Sequence, residues 1–480
     1  MQILFWHRRD LRLKDNKGLS IARDRSAQLT GVFCLDPAIL NREDTAPIRV
    51  TYLLKSLRLL QQRYRELGSD LLILHQPPVL GIPRLAQAIV ASVVYWNNDV
   101  EPYAQERDRL VTEALQSQGI VVETYWDQLL HRPGDILTGA KQPYTVYTPF
   151  WNNCQKNTPE LPYPEPEPMQ GLREEIQSQA IVAGVIPLPS PRDMGFCGTE
   201  TLILEPGEEA AHNQLNLFCS QALETYGNDR NFPAQAGTSR LSPALKFGTI
   251  GIRTLWQSAQ DQWNFARSDE TRKQIQTWQQ ELVWREFYYH CLYHFPQLAE
   301  GAYRAQWQQF PWENNRDHFT AWCEGKTGYP IVDAAMEELK QTGWMHNRCR
   351  MIVANFLTKD LRIDWRWGEQ YFMQHLLDGD LASNNGGWQW SASSGMDPRP
   401  LRIFNPMTQA QRFDPEGDYI RRWLPELAGV DTPLLLTAKI PPLLRGFYPE
   451  PIVDHHQQQQ IFKALYQTLG AEQKKAKNSL

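Results

Sequence analysis

The residues best suited to chemistry lie at positions 378–396, where DGDLASNNGGWQWSASSGM sets two acids, two asparagines and two tryptophans around a Gly-Gly pair. Asp, Asn, Ser and Gly are poor helix formers, which argues against a packing helix. Asn384 and Asn385 can donate and accept hydrogen bonds along a heterocycle edge. Gly386 and Gly387 would let the backbone approach a flat surface closely. The segment predicts a polar pocket for a planar aromatic cofactor, and an irregular structural loop is the alternative.

A second cluster is the hydroxyl-rich stretch 226–242, YGNDRNFPAQAGTSRLS. Thr238, Ser239 and Ser242 follow a glycine, and hydroxyls with backbone donors on such a turn suit a phosphate. Arg230 could meet a phosphate on a polymer. An ordinary helix-capping loop would explain the same residues.

A third cluster is WQQELVWREFYYH, residues 278–290. Glu281, Trp284 and Arg285 share one helical face, and Trp278 lies one turn earlier. Trp beside a carboxylate fits a pocket that stacks a base and bonds its edge. An amphipathic helix with an ion pair fits the spacing equally well.

The fourth cluster is GWMHNRCRMIVANFLTKDLRIDWR, residues 343–366. Asn347 and Met351 are four residues apart and therefore share a helical face, with Arg348 and Arg350 beside them. Arg is the residue that dominates phosphate and carboxylate recognition. This stretch therefore predicts a site for an anionic ligand.

Composition limits the class of protein that can hold these clusters. The chain has 480 residues with 42% hydrophobic side chains, enough for more than one folding unit. No apolar run approaches the ~18 residues of a membrane span. Seven scattered cysteines form no CxxC pair, so we expect reduced thiols, no structural metal and a cytosolic protein. The net charge of −5 lowers the expectation of nucleic-acid binding without excluding a local basic face.

Residues 1–130 alternate short apolar runs with helical patterns, which predicts an α/β domain with a doubly wound parallel sheet. Such sheets bind ligands at the carboxyl ends of their strands. Neither GxGxxG nor GxxxxGK[ST] occurs. The predicted strands are 3–6, 29–35, 71–74, 93–96 and 120–124, and the predicted helices are 18–24, 48–67, 82–90 and 106–116.

Residues 131–204 are predicted to be a long Pro-rich linker, semi-rigid and extended, because of runs such as PELPYPEPEPM. Residues 205–480 are predicted to be an all-α domain. Thirteen of the 17 Trp lie there, so any site that needs aromatic side chains is expected in that domain. Its predicted helices are 208–226, 250–258, 271–293, 331–342, 345–361 and 369–377.

These clusters together resemble the photolyase/cryptochrome flavoprotein family. The resemblance rests on RNFPAQAGTSRLSPALKFG, WREFYYH, TGYPIVDAAM, GWMHNRCRMIVANFL and DGDLASNNGGWQWSASSG in this order, and on ILFWHRRDLRLKDN at the start. It covers nearly the whole chain. Within the family it is greatest to class I cyclobutane pyrimidine dimer DNA photolyases (deoxyribodipyrimidine photo-lyases) of the cyanobacterial, deazaflavin-antenna type.

The resemblance implies FAD in the helical domain, folded into a U shape. Asn384 would face the flavin N5, and Arg350 would pair with Asp378 beneath the ring. The positions that match FAD contacts are Tyr226, Thr238, Ser239, Arg240, Leu241, Ser242, Trp278, Arg285, Arg350, Asp378, Asp380 and Asn384.

The resemblance also implies an enzyme that repairs UV-damaged DNA. No nucleophile, metal cluster or acid/base pair stands out, so the chemistry is expected to belong to the cofactor. Light-driven electron transfer from reduced FAD would split a flipped-out pyrimidine dimer. The positions that match the lesion-binding surface are Arg230, Glu281, Trp284, Asn347, Arg348, Met351, Trp390 and Gln409.

Three further tryptophans, Trp388, Trp365 and Trp312, match the family's electron-hopping chain from the flavin to the surface. Simple core packing is the alternative for each of them.

The amino-terminal domain would hold a second, light-harvesting chromophore. 8-Hydroxy-5-deazaflavin carries a phenolate-like oxygen that Arg or Lys could stabilise. Relatives with similar catalytic domains use 5,10-methenyltetrahydrofolate instead. The positions that match the antenna site are Arg9, Phe33, Leu35, Asp36, Arg49, Asp99, Glu101 and Lys246.

Three other interpretations compete with dimer repair. A cryptochrome-type blue-light signalling flavoprotein often changes the residue facing flavin N5, whereas this chain has Asn384. A (6-4) photolyase has two His where this chain has Asn347 and Met351. A nucleotide-binding module fused to a helical interaction domain leaves the WQW and HNRCRM clusters unexplained. We expect a cytoplasmic monomer that binds damaged DNA in the nucleoid, with no membrane or metal partner.

Overall fold

One six-stranded sheet forms the centre of the amino-terminal domain. The computed structural model describes residues 1–196, 202–396 and 401–478. The strands are β1 (Ile3–His7), β2 (Leu29–Cys34), β3 (Leu71–Leu74), β4 (Val93–Asn97), β5 (Val121–Tyr125) and β6 (Val185–Ile186). They lie in the order β5-β4-β1-β2-β3-β6, and β1 to β5 pair in parallel.

Helices cover both faces of this sheet. They are α1 (Lys17–Arg25), α2 (Pro37–Leu40), α3 (Pro47–Glu66), α4 (Pro78–Ala88) and α5 (Pro102–Ser117). Ile3 and Phe5 belong to a core cluster shared with α1 and α3, whereas Leu4 and Trp6 belong to a cluster shared with α4 and α5. Alternate side chains of one strand are thus buried on opposite faces. The predicted doubly wound α/β architecture is confirmed.

The stretch predicted to be an extended linker contains more regular structure than its proline content suggests. Two helices, α6 (Tyr147–Cys154) and α7 (Glu174–Val182), and strand β6 all lie within 131–204. β6 pairs antiparallel with β3, so the sheet is mixed at this edge, whereas the sequence predicted only parallel strands. Residues 158–169 form neither helix nor strand, as their prolines require. The Pro-rich pattern therefore predicted only part of this segment.

The rest of the described chain is helical and contains no strand after residue 202. Its helices are α8 (Glu208–Gln221), α9 (Tyr226–Asp229), α10 (Ser242–Phe247), α11 (Ile252–Phe265), α12 (Asp269–His294), α13 (Arg316–Cys323), α14 (Pro330–Thr342), α15 (Asn347–Asn355), α16 (Trp365–His375), α17 (Leu381–Ala392), α18 (Pro406–Phe413), α19 (Asp418–Trp423), α20 (Thr432–Leu436), α21 (Pro442–Arg445) and α22 (His455–Asn478). A π-helical turn, Phe356–Asp360, follows α15.

The segment 378–396 is mainly a helix, α17, which corrects the expectation that its composition excludes one. Asp380 caps the helix by accepting a hydrogen bond from the backbone N–H of Ser383 at 2.9 Å. Trp388 is buried, and a Cβ atom at Gly386 would lie 2.2 Å from the ring of Tyr288. Capping and tight packing have overridden weak helix propensity, which tertiary contacts often do.

Two arginines and two aspartates tie the domains together beneath the surface. Arg253 of α11 donates to Asp15 at 2.7 Å and to Asp127 at 2.6 Å. Arg12 reaches the second oxygen of Asp127 at 2.5 Å. All four side chains are at most 2% exposed. Each charge is therefore removed from water and compensated by an opposite one.

Glycines let the two domains approach closely around this network. A Cβ atom at Gly251 would lie 1.9 Å from a carboxylate oxygen of Asp15. Gly248 has a φ of +65°, and its Cβ would lie 2.0 Å from the carbonyl oxygen of Arg9. A side chain at either position would separate the sheet from α10 and α11.

No described helix is long and apolar enough to cross a membrane. No three described His, Cys, Asp or Glu side chains are grouped as a metal site. The six described cysteines are free thiols, and Cys197 lies outside the described residues.

The network predicts a large stability effect of Arg253→Met. The substitution leaves two buried carboxylates without their shared partner, and we expect the free energy of unfolding to fall by about 3–5 kcal/mol in urea denaturation. Arg109→Met is the matched control, because Arg109 pairs with Glu106 and Glu113 on the surface. That control should change stability by less than about 1 kcal/mol. Equal losses in both variants would contradict this role of the buried pairs.

Candidate active site

The helical domain contains a cavity of about 760 Å³. It is walled by α10, α12, α15, α17 and α18 and by the turn that precedes α10. Every residue predicted to contact FAD lines this cavity, and so does every residue predicted for the lesion surface. The structure thus brings together residues of all four clusters and, with Gln409, side chains up to 183 positions apart in the chain.

Helix α17 presents one free amide oxygen to the cavity. The Asn384 Nδ2 group donates to the backbone oxygen of Glu369 at 3.0 Å, which fixes the orientation of the amide. No described residue donates to its Oδ1. Asn385 donates to the Glu369 carboxyl at 2.9 Å. Asn384 is therefore held as a hydrogen-bond acceptor for a ligand.

The expected pair of Arg350 and Asp378 is present. Arg350 Nη2 donates to both carboxylate oxygens, at 3.1 and 2.8 Å, and its Nε donates to the carbonyl oxygen of Met345 at 2.8 Å. The Asp378 side chain is 3% exposed. This pair joins α15 to the start of the α17 segment and brings a fixed positive charge to the cavity wall.

The hydroxyl-rich turn has unused donors. The Thr238 and Ser239 hydroxyls make no hydrogen bond within the described residues, although both line the cavity. Ser242 accepts a hydrogen bond from Trp344 Nε1 at 3.3 Å. Arg240 has a φ of +52° and lies over the Trp344 ring at 5.2 Å. The turn therefore offers hydroxyl donors beside a guanidinium group, which suits an anionic group.

Another part of the cavity wall combines aromatic rings with an ion pair. Glu281 is paired with Arg230, and both side chains are about one-third exposed. The Trp284 indole stacks on Tyr147 with ring centroids 3.7 Å apart. Arg230 was expected to hold a phosphate, but in this structure its guanidinium is bound to Glu281. Glu281 and Arg230 thus neutralise each other.

Three arginines that line this part of the cavity lower the pKa of a fourth, Arg348. Burial, together with repulsion from Arg230, Arg402 and Arg412, lowers the pKa of Arg348 to about 10. Arg348 lies over the Phe413 ring at 4.3 Å and hydrogen-bonds Asn231. The net effect is a local positive field in a chain of negative overall charge.

The three tryptophans of the predicted hopping chain lie in one region. Trp388 lines the cavity, and both Trp388 and Trp365 are buried in one hydrophobic cluster. Trp312 is partly exposed and packs against that cluster. It also contacts Phe310, with ring centroids 4.4 Å apart. Trp388 and Trp365 are thus buried, whereas Trp312 is partly exposed, and the electron-hopping role of all three stays a prediction.

The predicted antenna residues divide into two groups. Arg9, Asp99, Glu101 and Lys246 lie together at the carboxyl edge of the sheet, and Arg9 also pairs with Asp380 of the cavity. The others are already engaged: Asp36 accepts from Tyr103 at 2.6 Å, Arg49 donates to carbonyls at the end of α16, and Phe33 and Leu35 are core residues.

The charged side chains at this edge of the sheet shift one another's pKa values. Burial alone would raise the pKa of the Asp380 carboxyl, but Arg9 and Lys246 hold it well below its usual range. Burial and the nearby Arg9 lower the pKa of Lys246. Lys246 Nζ lies 4.0 Å from Glu101 and 3.9 Å from Asp380, beyond hydrogen-bond distance. Its ammonium donors make no hydrogen bond within the described residues.

Several residues at the site were not predicted from the sequence. Some lie within the four quoted clusters but received no role there. Others come from the segment interpreted as a linker, from the stretch without helix or strand before α18, or from α18 itself. The missed residues are Tyr147, Asn231, Tyr288, Tyr289, Trp344, Arg402, Arg412 and Phe413.

Sequence comparison agrees with this geometry. A family model described as DNA photolyase matches residues 3–168, and one described as the FAD binding domain of DNA photolyase matches residues 278–468. A deoxyribodipyrimidine photo-lyase of Synechococcus sp. is 57% identical over 469 residues, which cover 98% of this chain and 97% of the relative. The chain belongs to the DNA photolyase family. Its helical domain accordingly binds FAD.

Solved structures of the photolyase family share the whole fold. A class III photolyase from Agrobacterium tumefaciens has a TM-score of 0.88 and 33% identity, with 98% of each chain covered. A Synechocystis sp. cryptochrome has a TM-score of 0.87 and 29% identity, with coverage of 97% of this chain and 99% of that one. The shape of the fold therefore does not separate repair from signalling, and the side chains of the cavity must do so.

Glu369, which accepts hydrogen bonds from Asn384 and Asn385, is expected to make stability depend on pH. Burial raises the pKa of its carboxyl to about 7. The folded protein therefore keeps a proton that the unfolded chain releases at lower pH, and this contribution to stability falls as pH rises toward 7. We expect Glu369→Gln to remove that slope in urea unfolding between pH 5 and 8.

The carboxylic acid band in the infrared spectrum at pH 6 should also weaken in Glu369→Gln. Glu175→Gln serves as the control, because Glu175 is exposed. A pH slope that is the same in wild type and Glu369→Gln would show that this carboxyl is ionised throughout the range.

Proposed function

We propose that this chain splits cyclobutane pyrimidine dimers in UV-damaged DNA in a light-driven reaction with FAD as its cofactor. The observation that carries the proposal is one cavity whose wall combines hydroxyl and amide side chains with aromatic rings and arginines. The high identity to the Synechococcus deoxyribodipyrimidine photo-lyase supports the same activity.

The hydroxyl and amide side chains would hold the cofactor. Thr238, Ser239 and Ser242 would donate to its phosphates and ribityl chain, and the other predicted FAD residues would enclose the rings. Asn384 would accept a hydrogen bond from the flavin N5–H, since its Oδ1 is free and its Nδ2 is held by Glu369. When bound, FAD supplies light-driven one-electron chemistry, which no side chain of the protein can provide.

The aromatic rings would hold the dimer. A thymine dimer stacks and pairs weakly, so flipping it out costs less than flipping a normal base pair. Trp284 and Trp390 would contact its apolar faces, and Glu281 would accept a hydrogen bond from an N–H on its edge. Asn347 and Met351 would border the dimer, with Gln409 beside them. The absence of His at those two positions supports cyclobutane dimers over (6-4) photoproducts.

The arginines of the cavity wall would hold the DNA backbone. Arg348 and Arg230 would contact phosphates beside the lesion, which gives salt-sensitive binding without sequence preference. Because Arg230 is paired with Glu281, phosphate binding by Arg230 would release Glu281 toward the dimer. We propose that the enzyme acts as a cytosolic monomer, associated with the nucleoid when bound to damage.

The type of DNA lesion that the enzyme repairs tests the proposal directly. Blue light with reduced enzyme should split cyclobutane dimers in irradiated oligonucleotides and leave (6-4) photoproducts intact, as measured by chromatography. Glu281→Ala should reduce the repair yield more than it reduces affinity for damaged DNA. Binding of flavin without any dimer splitting would instead support the alternative, a cryptochrome-type signalling protein.

We further propose that Trp388, Trp365 and Trp312 carry electrons toward the flavin from the surface. Trp312→Phe should slow or abolish light-driven reduction of oxidised flavin by an external donor. Repair by enzyme already reduced with dithionite should stay nearly normal, because that electron passes to the lesion instead. Trp322→Phe is the matched control, since Trp322 packs against Trp388 but lies outside the proposed chain. Normal photoreduction in Trp312→Phe would show that these tryptophans only contribute packing and do not carry electrons.

An antenna at the carboxyl edge of the sheet is the remaining part of the proposal. We propose 8-hydroxy-5-deazaflavin there, with 5,10-methenyltetrahydrofolate as the alternative. The free donors of Lys246 and the neighbouring Arg9 support a ligand with an ionised oxygen. Arg9 and Lys246 would lower the pKa of the ring oxygen and shift its absorption toward visible light.

Protein made in a host that synthesises deazaflavin should carry it, and Lys246→Ala should weaken its retention while FAD stays bound. Protein without antenna should still repair, more slowly in dim light. Recovery of a folate from the native protein, or no new visible band on reconstitution with deazaflavin, would refute the assignment.

A further inference from the structure

The Trp284 indole lies between the cavity and a ring from outside the helical domain. Tyr147, the first residue of α6, stacks on Trp284 with ring centroids 3.7 Å apart and an interplanar angle of 8°. Trp284 lines the cavity, whereas Tyr147 does not. One face of the indole is therefore covered by Tyr147, and a ligand in the cavity can reach only the opposite face and the edges.

The Tyr147 hydroxyl is bound to the same turn of α12 that carries Trp284. It donates to the carbonyl oxygen of Gln280 at 2.7 Å. Gln280 precedes Trp284 by four residues, so in an α-helix its carbonyl also accepts from the Trp284 N–H. A carbonyl oxygen has two lone pairs and can accept both bonds. The ring of Tyr147 thus contacts the Trp284 indole while its hydroxyl is bound to the backbone of α12. Together the two contacts hold the indole in place relative to the helix that carries it.

Helix α6 gives Tyr147 a rigid base. Phe150, one turn further along α6, is 1% exposed. Its ring packs against Phe287 and His290 of α12, at centroid distances of 5.4 and 5.0 Å. Tyr147 also meets Phe287 edge to face at 6.0 Å. Tyr147 therefore cannot leave Trp284 without disturbing buried contacts of the domain.

We propose that Tyr147 is a positioning residue of the lesion site, which holds the Trp284 indole so that its free face is presented to the pyrimidine dimer. This inference rests on the proposed function. An unsupported indole would sample several rotamers, and ordering it would reduce the affinity for the dimer. With Tyr147 in place that order already exists before DNA binds. The segment interpreted as a linker from its composition would then contribute to specificity.

The test compares Tyr147→Leu, Tyr147→Phe and Tyr144→Leu. Tyr144 is the matched control, since it precedes α6, packs on Phe150 and makes no ring contact with Trp284. The readout is the ratio of dissociation constants for undamaged and dimer-containing duplexes, with the flavin absorption spectrum as the check on folding. A stacked aromatic pair stabilises the arrangement of its two rings. Loss of the stack should therefore lower the ratio of dissociation constants roughly three- to tenfold.

We expect Tyr147→Leu to lower the ratio and raise KM while the repair yield at saturating DNA stays close to wild type. Tyr147→Phe keeps the ring and should restore most of the discrimination. If the substitution only destabilised α6, both KM and the repair yield would change. Tyr144→Leu would then show the same effects as Tyr147→Leu.

An unchanged ratio in Tyr147→Leu, or an equal fall in Tyr144→Leu, would overturn the inference. If Tyr147→Leu does not retain flavin, Tyr147→Met, whose unbranched and flexible side chain adapts better to an irregular gap, decides the question by the same ratio. Failure of the proposed function has a different signature, because the wild-type protein itself would then show no preference for dimer-containing DNA.

Discussion

The buried network of Arg12, Asp15, Asp127 and Arg253 is the constraint on which the rest of the structure depends. Three of its members come from the amino-terminal domain and one from α11. All four side chains must be in place for every buried charge to have an opposite partner. A buried charge without its partner destabilises the folded protein. The network therefore permits only one docking of the sheet onto the helical domain, and that docking brings Arg9 from the end of β1 to Asp380 at the start of α17.

Two helices then determine the geometry of the cavity. Helix α12 carries Trp278, Glu281 and Trp284 in the cavity wall. Helix α17 begins at a carboxylate held by Arg9 and continues through Asn384 to Trp388 and Trp390. Since both helices are packed on buried side chains, the residues that they present to the cavity keep fixed positions relative to one another. This arrangement suits a reaction in which the protein supplies position and the cofactor supplies chemistry.

Hydrophobic periodicity predicted the α/β and helical architecture, whereas the residues of the cavity lining and the Arg350–Asp378 pair followed from the resemblance to the photolyase/cryptochrome family. Prediction from the sequence failed where tertiary contacts outweigh local preference. Segment 378–396 is helical although its residues disfavour helix, since Asp380 caps it and Gly386 fits beneath Tyr288. The strand β6 and the stack of Tyr147 on Trp284 depend on partners far away in the chain, which composition cannot reveal. The roles of the residues in catalysis and antenna binding stay predictions.

Helix α17 also limits how this family can vary by insertion or deletion. Asn384 and Trp390 are six residues apart, which is about 9 Å along a helix axis. One residue added between them would turn every later side chain by about 100° around the axis and move it about 1.5 Å along it. Trp388 would then leave its buried position and Trp390 the cavity wall. Substitutions can be accommodated one at a time within this helix, whereas a change in its length would separate cofactor, tryptophans and cavity wall simultaneously.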